Sequence, residues 1–172
     1  QKDLENKIEK LNGYFSKKAD KRIDNLIANG KDIKLSDIVN NYSLTGKGSI
    51  SGTKGDDNIV GSDAKDTIKA GDGADKILAK DGDDVIYGNK GNDTINGGNG
   101  NNTIYFSDGD GKDIIENGLG NDTVQLKTKS DLKFSRDINN DDLIISYGKN
   151  DSVTLKDYYK NNSHSVQNIM TT

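Results

Sequence analysis

The chain has no cysteine, no proline and no tryptophan, and only one histidine among its 172 residues. Without cysteine there is no disulfide staple and no thiol catalysis, so any stapling must come from another source. Without proline there is no Asp-Pro bond at which the chain would cleave itself. Hydrophobic residues make up 30% and aromatics 6%, too little for an ordinary globular core of this length. No run approaches the ~18 apolar residues of a membrane span. His164, the lone histidine, has no partner cluster and reads as a solvated tail residue, not a base or ligand. Basic residues are scattered and aromatics few, so nucleic acid has no footprint here. The chain opens at Gln1 without a charged-then-apolar leader, and we read it as an excised or processed piece of a longer protein.

What it holds in excess is glycine, twenty residues, and acid concentrated in the middle. Residues 52–125 carry fifteen Asp/Glu against seven Lys, a net of −8, while the flanks are slightly basic. That middle stretch repeats one nine-residue pattern eight times. The copies read GTKGDDNIV, GSDAKDTIK, AGDGADKIL, AKDGDDVIY, GNKGNDTIN and GGNGNNTIY, then, after an inserted Phe106–Ser107, DGDGKDIIE and NGLGNDTVQ. The sixth position is Asp57, Asp66, Asp75, Asp84, Asp93, Asn102, Asp113 and Asp122. The eighth is Ile59, Ile68, Ile77, Ile86, Ile95, Ile104, Ile115 and Val124.

The period has a physical reading. Six residues rich in Gly, Asn and Asp take the left-handed conformations of a tight turn. The next three make a short strand with its central Ile facing one way. Turn and strand reverse the chain and a second pair brings it back, so two repeats close one coil. Each turn then stacks on the turn two repeats earlier, about 4.8 Å away. Ca²⁺ bonds oxygen at about 2.4 Å, so one ion midway touches the carboxylates of both turns. One apolar side chain per repeat buries too little to offset the entropy of ordering the stretch, and the stacked carboxylates repel. Metal binding therefore becomes folding free energy, and without a divalent cation the stretch is expected to be disordered.

The nonapeptide matches the calcium-binding G-G-x-G-x-D-x-U-x repeat. Residues 52–125 resemble the β-roll of RTX (repeats-in-toxin) exoproteins. The following segment is similar to the one that trails such repeats, through Asp131–Arg136, Asp142–Ile145 and Asp151–Tyr159. The resemblance implies a mainly β fold, a right-handed parallel β-roll. It also implies export through a type I bacterial secretion apparatus, an extracellular location, and folding on meeting calcium there. The cargo of such a module is a toxin, enzyme or adhesin that the sequence does not identify.

The resemblance further implies which residues hold metal. In the family each ion takes the carbonyls of positions one and three and the Asp of one turn, and the carbonyls of positions two and four and the Asp two repeats on. Carried over, one ion lies among Gly52, Lys54, Asp57, Gly71, Gly73 and Asp75. The next takes Gly61, Asp63, Asp66, Lys80, Gly82 and Asp84. A third takes Ala70, Asp72, Asp75, Asn89, Gly91 and Asp93. The fourth, at Ala79, Asp81, Asp84, Gly98, Gly100 and Asn102, has one carboxylate fewer. Across the insertion, Gly88, Lys90 and Asp93 pair with Gly109, Gly111 and Asp113, and Gly97, Asn99 and Asn102 with Gly118, Gly120 and Asp122. The expected load is about four to six Ca²⁺. Thr53 and Lys80 replace glycine at position two and Ala64 at position four, where left-handed strain costs about 1 kcal/mol.

The flanks read differently. Leu4, Ile8, Leu11, Phe15, Ala19, Ile23 and Leu26–Ile27 recur at helical spacing, so residues 4–28 are expected to form a linker helix, stopped at Asn29-Gly30. Ser36 is placed to cap a short turn carrying Ile38 and Val39. Residues 43–51 fit the repeat phase with Gly48 in place of Asp, a metal-free cap on the first coil. Residues 130–159 are expected to form two or three antiparallel strands, turning at 139–142 and 148–151. They would cover the last coil's edge against aggregation. The division expected is 1–42, a helical flank; 43–125, the roll; and 126–172, a β cap.

Competing functions find less support. Asp108-Gly109-Asp110 begins like an EF-hand loop, but Leu119 stands at its twelfth place. The sequon-like triplets at 92, 101 and 121 follow from the turn pattern, and no glycine pair precedes a phosphate-binding lysine on a helix. Acidic pairs such as Asp83-Asp84 resemble a hydrolase dyad, yet one member of each is committed to metal, so no enzyme is expected. A polysaccharide-binding or surface-adhesion module is the alternative. It requires an outward aromatic and basic stripe, and Lys69, Tyr87 and Tyr105 do not promise a regular ladder.

Overall fold

The computed structural model describes residues 25–28, 31–34, 44–116, 118–160 and 166–172. The chain divides into two compact units, Gln1–Val39 and Asn40–Thr172. In the first, β1 (Asn25–Ala28) pairs antiparallel with β2 (Lys31–Lys34), Ala28 opposite Lys31. The helix expected over 4–28 is corrected at its end, where residues 25–28 are strand. Asn29-Gly30 lies between the paired ends, and this dipeptide is the strongest short-range hairpin signal; it had read as a helix stop. Residues 4–24, the turn proposed at Ser36 and His164 lie outside the described residues.

The second unit winds as expected. Its strands are β3 (Leu44–Thr45), β4 (Ser49–Ser51), β5 (Asn58–Val60), β6 (Thr67–Asp72), β7 (Lys76–Leu78), β8 (Val85–Lys90), β9 (Thr94–Asn96), β10 (Thr103–Ser107), β11 (Lys112–Glu116) and β12 (Asp122–Lys127). Odd strands stack in one sheet and even strands in the other, every neighbouring pair parallel. The result is a mainly β, parallel β-solenoid of about five turns.

Register explains the period. Ile59 sits opposite Ile77, Ile77 opposite Ile95 and Ile95 opposite Ile115. On the other sheet Ile50, Ile68, Ile86, Ile104 and Val124 align. Each of these side chains is buried, two inward rows that meet as one apolar core. The insertion at Phe106–Ser107 forms the end of β10 and keeps alternation. Phe106, 1% exposed, is thereby buried beside Ile104 and opposite Leu126.

After the roll come β13 (Lys133–Asp137), β14 (Asp142–Tyr147), β15 (Asp151–Leu155) and β16 (Val166–Thr171). β13, β14 and β15 pair antiparallel, turning at 138–141 and 148–150. β15 joins β11 in parallel, so this block extends the odd sheet. β16, which sequence reasoning did not foresee, adds in parallel to β12 with a register shift between Asp122 and Thr123. Both free edges of the last coil are thus paired. Leu143, Ile145, Tyr147, Val153, Leu155 and Val166 are buried and continue the core through the cap.

Candidate metal centre

The position-six residues form two columns. Asp57, Asp75 and Asp93 immediately precede strands of the odd sheet and Asp113 lies at the start of β11; Asp66, Asp84 and Asn102 immediately precede strands of the even sheet and Asp122 opens β12. All eight are buried, none more than 4% exposed. Buried carboxylates are costly unless satisfied, and here only half of the demand is met.

Within each column the main chain of one coil binds the carboxylate of the next. The Asp57 N–H donates to Asp75 Oδ1 at 2.7 Å, that of Asp75 to Asp93 Oδ1 at 2.8 Å, and that of Asp93 to Asp113 Oδ1 at 2.9 Å. Across the roll the Asp66 N–H donates to Asp84 Oδ1 at 2.7 Å, Asp84 to Asn102 Oδ1 at 3.0 Å and Asn102 to Asp122 Oδ1 at 2.9 Å. The second oxygens of Asp75, Asp84, Asp93 and Asp113 are buried and accept nothing, as is Oδ1 of Asp57. A line of bare, buried carboxylate oxygens is a cation site by its donor chemistry.

The electrostatics agree. Burial, followed by neighbouring carboxylates, pushes Asp75, Asp84 and Asp93 up to about 6, against the opposing pull of the backbone N–H each accepts. The same causes push Asp113 up to about 8. Asp66 goes the other way. Burial raises it too, but the Ser62 and Gly48 N–H groups and the Ser62 hydroxyl together outweigh that and lower it.

Asp57 and Asp66 differ for a structural reason. Asp57 Oδ2 accepts from the Thr53 N–H at 2.6 Å and the Thr53 hydroxyl at 3.0 Å. Asp66 Oδ2 accepts from the Ser62 N–H at 2.7 Å and its hydroxyl at 3.0 Å. In these first two turns the Asp closes its own turn. In the later ones position two is left-handed, as at Gly71, Lys80 (φ 78°), Asn89 (φ 65°), Gly98 and Gly109, and the oxygen stays bare. The strain expected at Lys80 is therefore present. That expected at Thr53 and Ala64 is not, because neither has a positive φ. Sequence reasoning missed Thr53 and Ser62 as partners; a hydroxyl four residues before the Asp was the signal.

Glycine at positions two and four brings carbonyls together. A Cβ on Gly71 would lie 1.9 Å from the Thr53 carbonyl oxygen, and one on Gly91 1.7 Å from that of Gly73. Gly98 against Lys80 and Gly120 against Gly100 are as close, at 1.8 Å each. Only a residue without a side chain lets the turns approach so nearly.

The turns that carry the six sets stack on one another, each on the turn two repeats earlier. Turn 52–57 stacks on 70–75 and turn 61–66 on 79–84, with Gly82 against Ala64. In the third set the Asp75 N–H donates to Asp93 Oδ1 at 2.8 Å, and in the fourth the Asp84 N–H donates to Asn102 Oδ1 at 3.0 Å. In the two sets across the insertion the Asp93 N–H donates to Asp113 Oδ1 and the Asn102 N–H to Asp122 Oδ1, each at 2.9 Å. Among the described residues no three acidic, histidine or cysteine side chains form a metal cluster.

On the outer face of the even sheet, Lys69, Tyr87 and Tyr105 fall opposite one another in successive coils. The tyrosine rings stack 4.7 Å apart at 11°, with the Lys69 ammonium 5.7 Å from the Tyr87 centroid. The row is regular where none was promised. Its rings face each other, which leaves edges and not open faces for a sugar ring.

A family model for the RTX calcium-binding nonapeptide repeat matches in four copies, over residues 51–84, 70–104, 78–111 and 105–124. No curated protein matches the chain.

Proposed function

Since residues 51–124 are RTX calcium-binding repeats wound into a β-roll, we propose that this chain is the calcium-dependent folding module of a larger protein exported by a type I bacterial secretion apparatus. The observation that carries the reading is the row of buried carboxylates with one oxygen bonded and the other bare. Bound Ca²⁺ would supply positive charge to the oxygen ligands that the chain offers, and no other chemistry. The rest is done by the chain. Backbone N–H groups fix one oxygen of Asp75, Asp84, Asp93 and Asp113 and so aim the other into the gap between coils. Glycine turns crowd carbonyls into the same gap. The six sets named above are the ligand sets of this reading.

Without the ion, the fold must bury a column of like charges, and the ion-free chain is unfolded at neutral pH in this proposal. Inside a calcium-poor cell an unfolded chain threads an export channel; outside, calcium closes the coils and prevents back-sliding. Residues 1–42 flank the roll, residues 43–125 bind, and residues 126–172 cap it. The role is structural and not catalytic. Circular dichroism of the chain in chelator and in a few millimolar Ca²⁺ tests this: β signal should appear only with calcium. An equal β signal in both would refute the proposal.

A further inference from the structure

The cap pairs the edges of the last coil and opens a new edge of its own. In the odd sheet the strand order ends at β13, whose one strand neighbour among the described residues is β14. Lys133, Phe134, Ser135 and Arg136 are all exposed. Every second N–H and C=O of β13 therefore points away from the sheet, a template for another strand. Phe134 is 56% exposed although Ile145, opposite it on β14, is fully buried. Arg136 is exposed opposite the buried Leu143. The inward face of the odd sheet thus runs one strand further than the core that covers it.

Charge on an edge strand usually guards it against pairing, and Lys133 and Arg136 first read that way. A guard repels whichever register is tried. On β13 the order of residues, KFSRD, makes one register attractive. Set antiparallel to a second copy with Ser135 on the two-fold axis, Lys133 falls opposite the partner's Asp137 at both ends of the pair. Phe134 falls opposite the partner's Arg136, also twice, which sets a guanidinium beside an aromatic ring. Centring the pair on Arg136 brings two guanidinium groups together. Centring it on Phe134 sets Asp131 against the partner's Asp137. The side chains are already steadied for the matching register. Arg136 is ion-paired with Asp141 and its guanidinium lies 4.6 Å from the centroid of the Tyr159 ring. The Asp137 carboxylate accepts from the Asn139 N–H at 3.0 Å and from Asn140 Nδ2 at 2.7 Å. With about four lone-pair sites on a carboxylate, it has room for a lysine as well.

We propose that β13 is a self-association edge, at which two copies of this chain join antiparallel about Ser135 and their odd sheets run on as one. The contact is isologous, the same patch meeting itself. A strand pair of five residues on each side is small against the ~1,600 Å² of a standard interface. The dimer is therefore weak, reversible and concentration-dependent.

Sedimentation velocity of the full chain in saturating Ca²⁺, over a wide range of concentration, reads the association. The wild type should dimerise reversibly. Lys133→Glu sets like charges across the axis twice and should weaken the dimer about tenfold or more. Asp137→Lys should weaken it as well, and an equimolar mixture of the two variants should dimerise again, since each supplies the charge the other lacks. Asp137 also holds its own turn, so the calcium-induced β signal is compared for every variant, and Ser135→Cys gives a test that leaves that turn alone. It would be the chain's one cysteine and would lie on the axis, so mild oxidation should cross-link it to itself faster than Lys133→Cys. A wild type that stays monomeric at every concentration overturns the proposal. So does a dimer that Lys133→Glu leaves intact, because the contact then lies elsewhere, or a Lys133→Cys that cross-links as fast as Ser135→Cys.

Discussion

Asn102 interrupts the even-sheet column, and replacing it by aspartate should have opposite effects with and without calcium. Its Oδ1 accepts the Asp84 N–H at 3.0 Å, which fixes the amide, since an NH₂ turned that way would meet another donor. Its Nδ2, in the same column as the bare Oδ2 of Asp84, is buried without an acceptor. An unsatisfied buried donor costs about 1–3 kcal/mol, and a donor facing a cation repels it. Asn102→Asp removes that donor and supplies a ligand. With about 1.4 kcal/mol per factor of ten, the gain is roughly 5- to 150-fold in the affinity of the ions that flank it. In chelator the sign reverses. The new carboxylate stands between Asp84 and Asp122, and Asp122 already raises the pKa of Asp84. Calorimetric titration with Ca²⁺ reads the first effect, and denaturant unfolding in chelator at mildly acidic pH reads the second. Unchanged or weaker calcium binding, or a variant more stable in chelator, would show that the residue does not face a cation.

The other predictions follow from the same columns. Asp84→Ala should weaken calcium binding and folding more than Asp57→Ala, because Asp84 links two coils while Asp57 Oδ2 only closes its own turn on Thr53; equal losses in calorimetric titration contradict this. In chelator, lowering the pH from 8 to 4 should raise the β signal. Asp75, Asp84, Asp93 and Asp113 bind protons more tightly folded, at about 6 and about 8, than unfolded at 3.8, so their penalty is full above the folded values and fades as the pH falls towards the unfolded one. With calcium present the same acidification should weaken binding by competition, and a chelated chain whose β signal is flat with pH argues against buried carboxylates. Removing residues 128–172 keeps every repeat ligand but unpairs β11 from β15 and β12 from β16. The calcium midpoint should rise severalfold, and an unchanged midpoint would show that the repeats nucleate themselves.

The roll was legible because two positions of the repeat do separate work. Ile at position eight and Asp at position six each return every eighteen residues on the same sheet, and stacking makes that interval a register: Ile68 on Ile86, Asp66 beside Asp84. The two-residue insertion was legible as harmless because strand alternation has a period of two, and Phe106 is indeed inward. What was not legible depends on contacts distant in sequence or on a local signal with two meanings. Asn29-Gly30 ends a helix or joins a hairpin, and only the pairing of Leu26 with Ile33 decides. Val166–Thr171 has no alternation to mark it as a strand; its burial pattern is one inward residue and a half-buried one. It is a strand because the edge of β12 offers hydrogen bonds, and an exposed edge recruits what is tethered near it.

The same logic explains the unequal turns. Thr53 was read as a departure from glycine, hence as strain, and Ser62 was passed over, on the assumption that every turn has one shape. The hydroxyl-bearing residue instead turns its N–H and side chain onto its own Asp, and the backbone avoids the left-handed region. Further along, glycine or an unbonding residue at position two leaves the Asp oxygen free. Position two thus decides whether a carboxylate closes its turn or faces the gap between coils. By this rule the first two turns carry hydrogen bonds of their own that the later turns lack. If calcium closes the roll as proposed, order should be lost first, as calcium is withdrawn, where the roll adjoins Asp113, the end from which the cap must hold it.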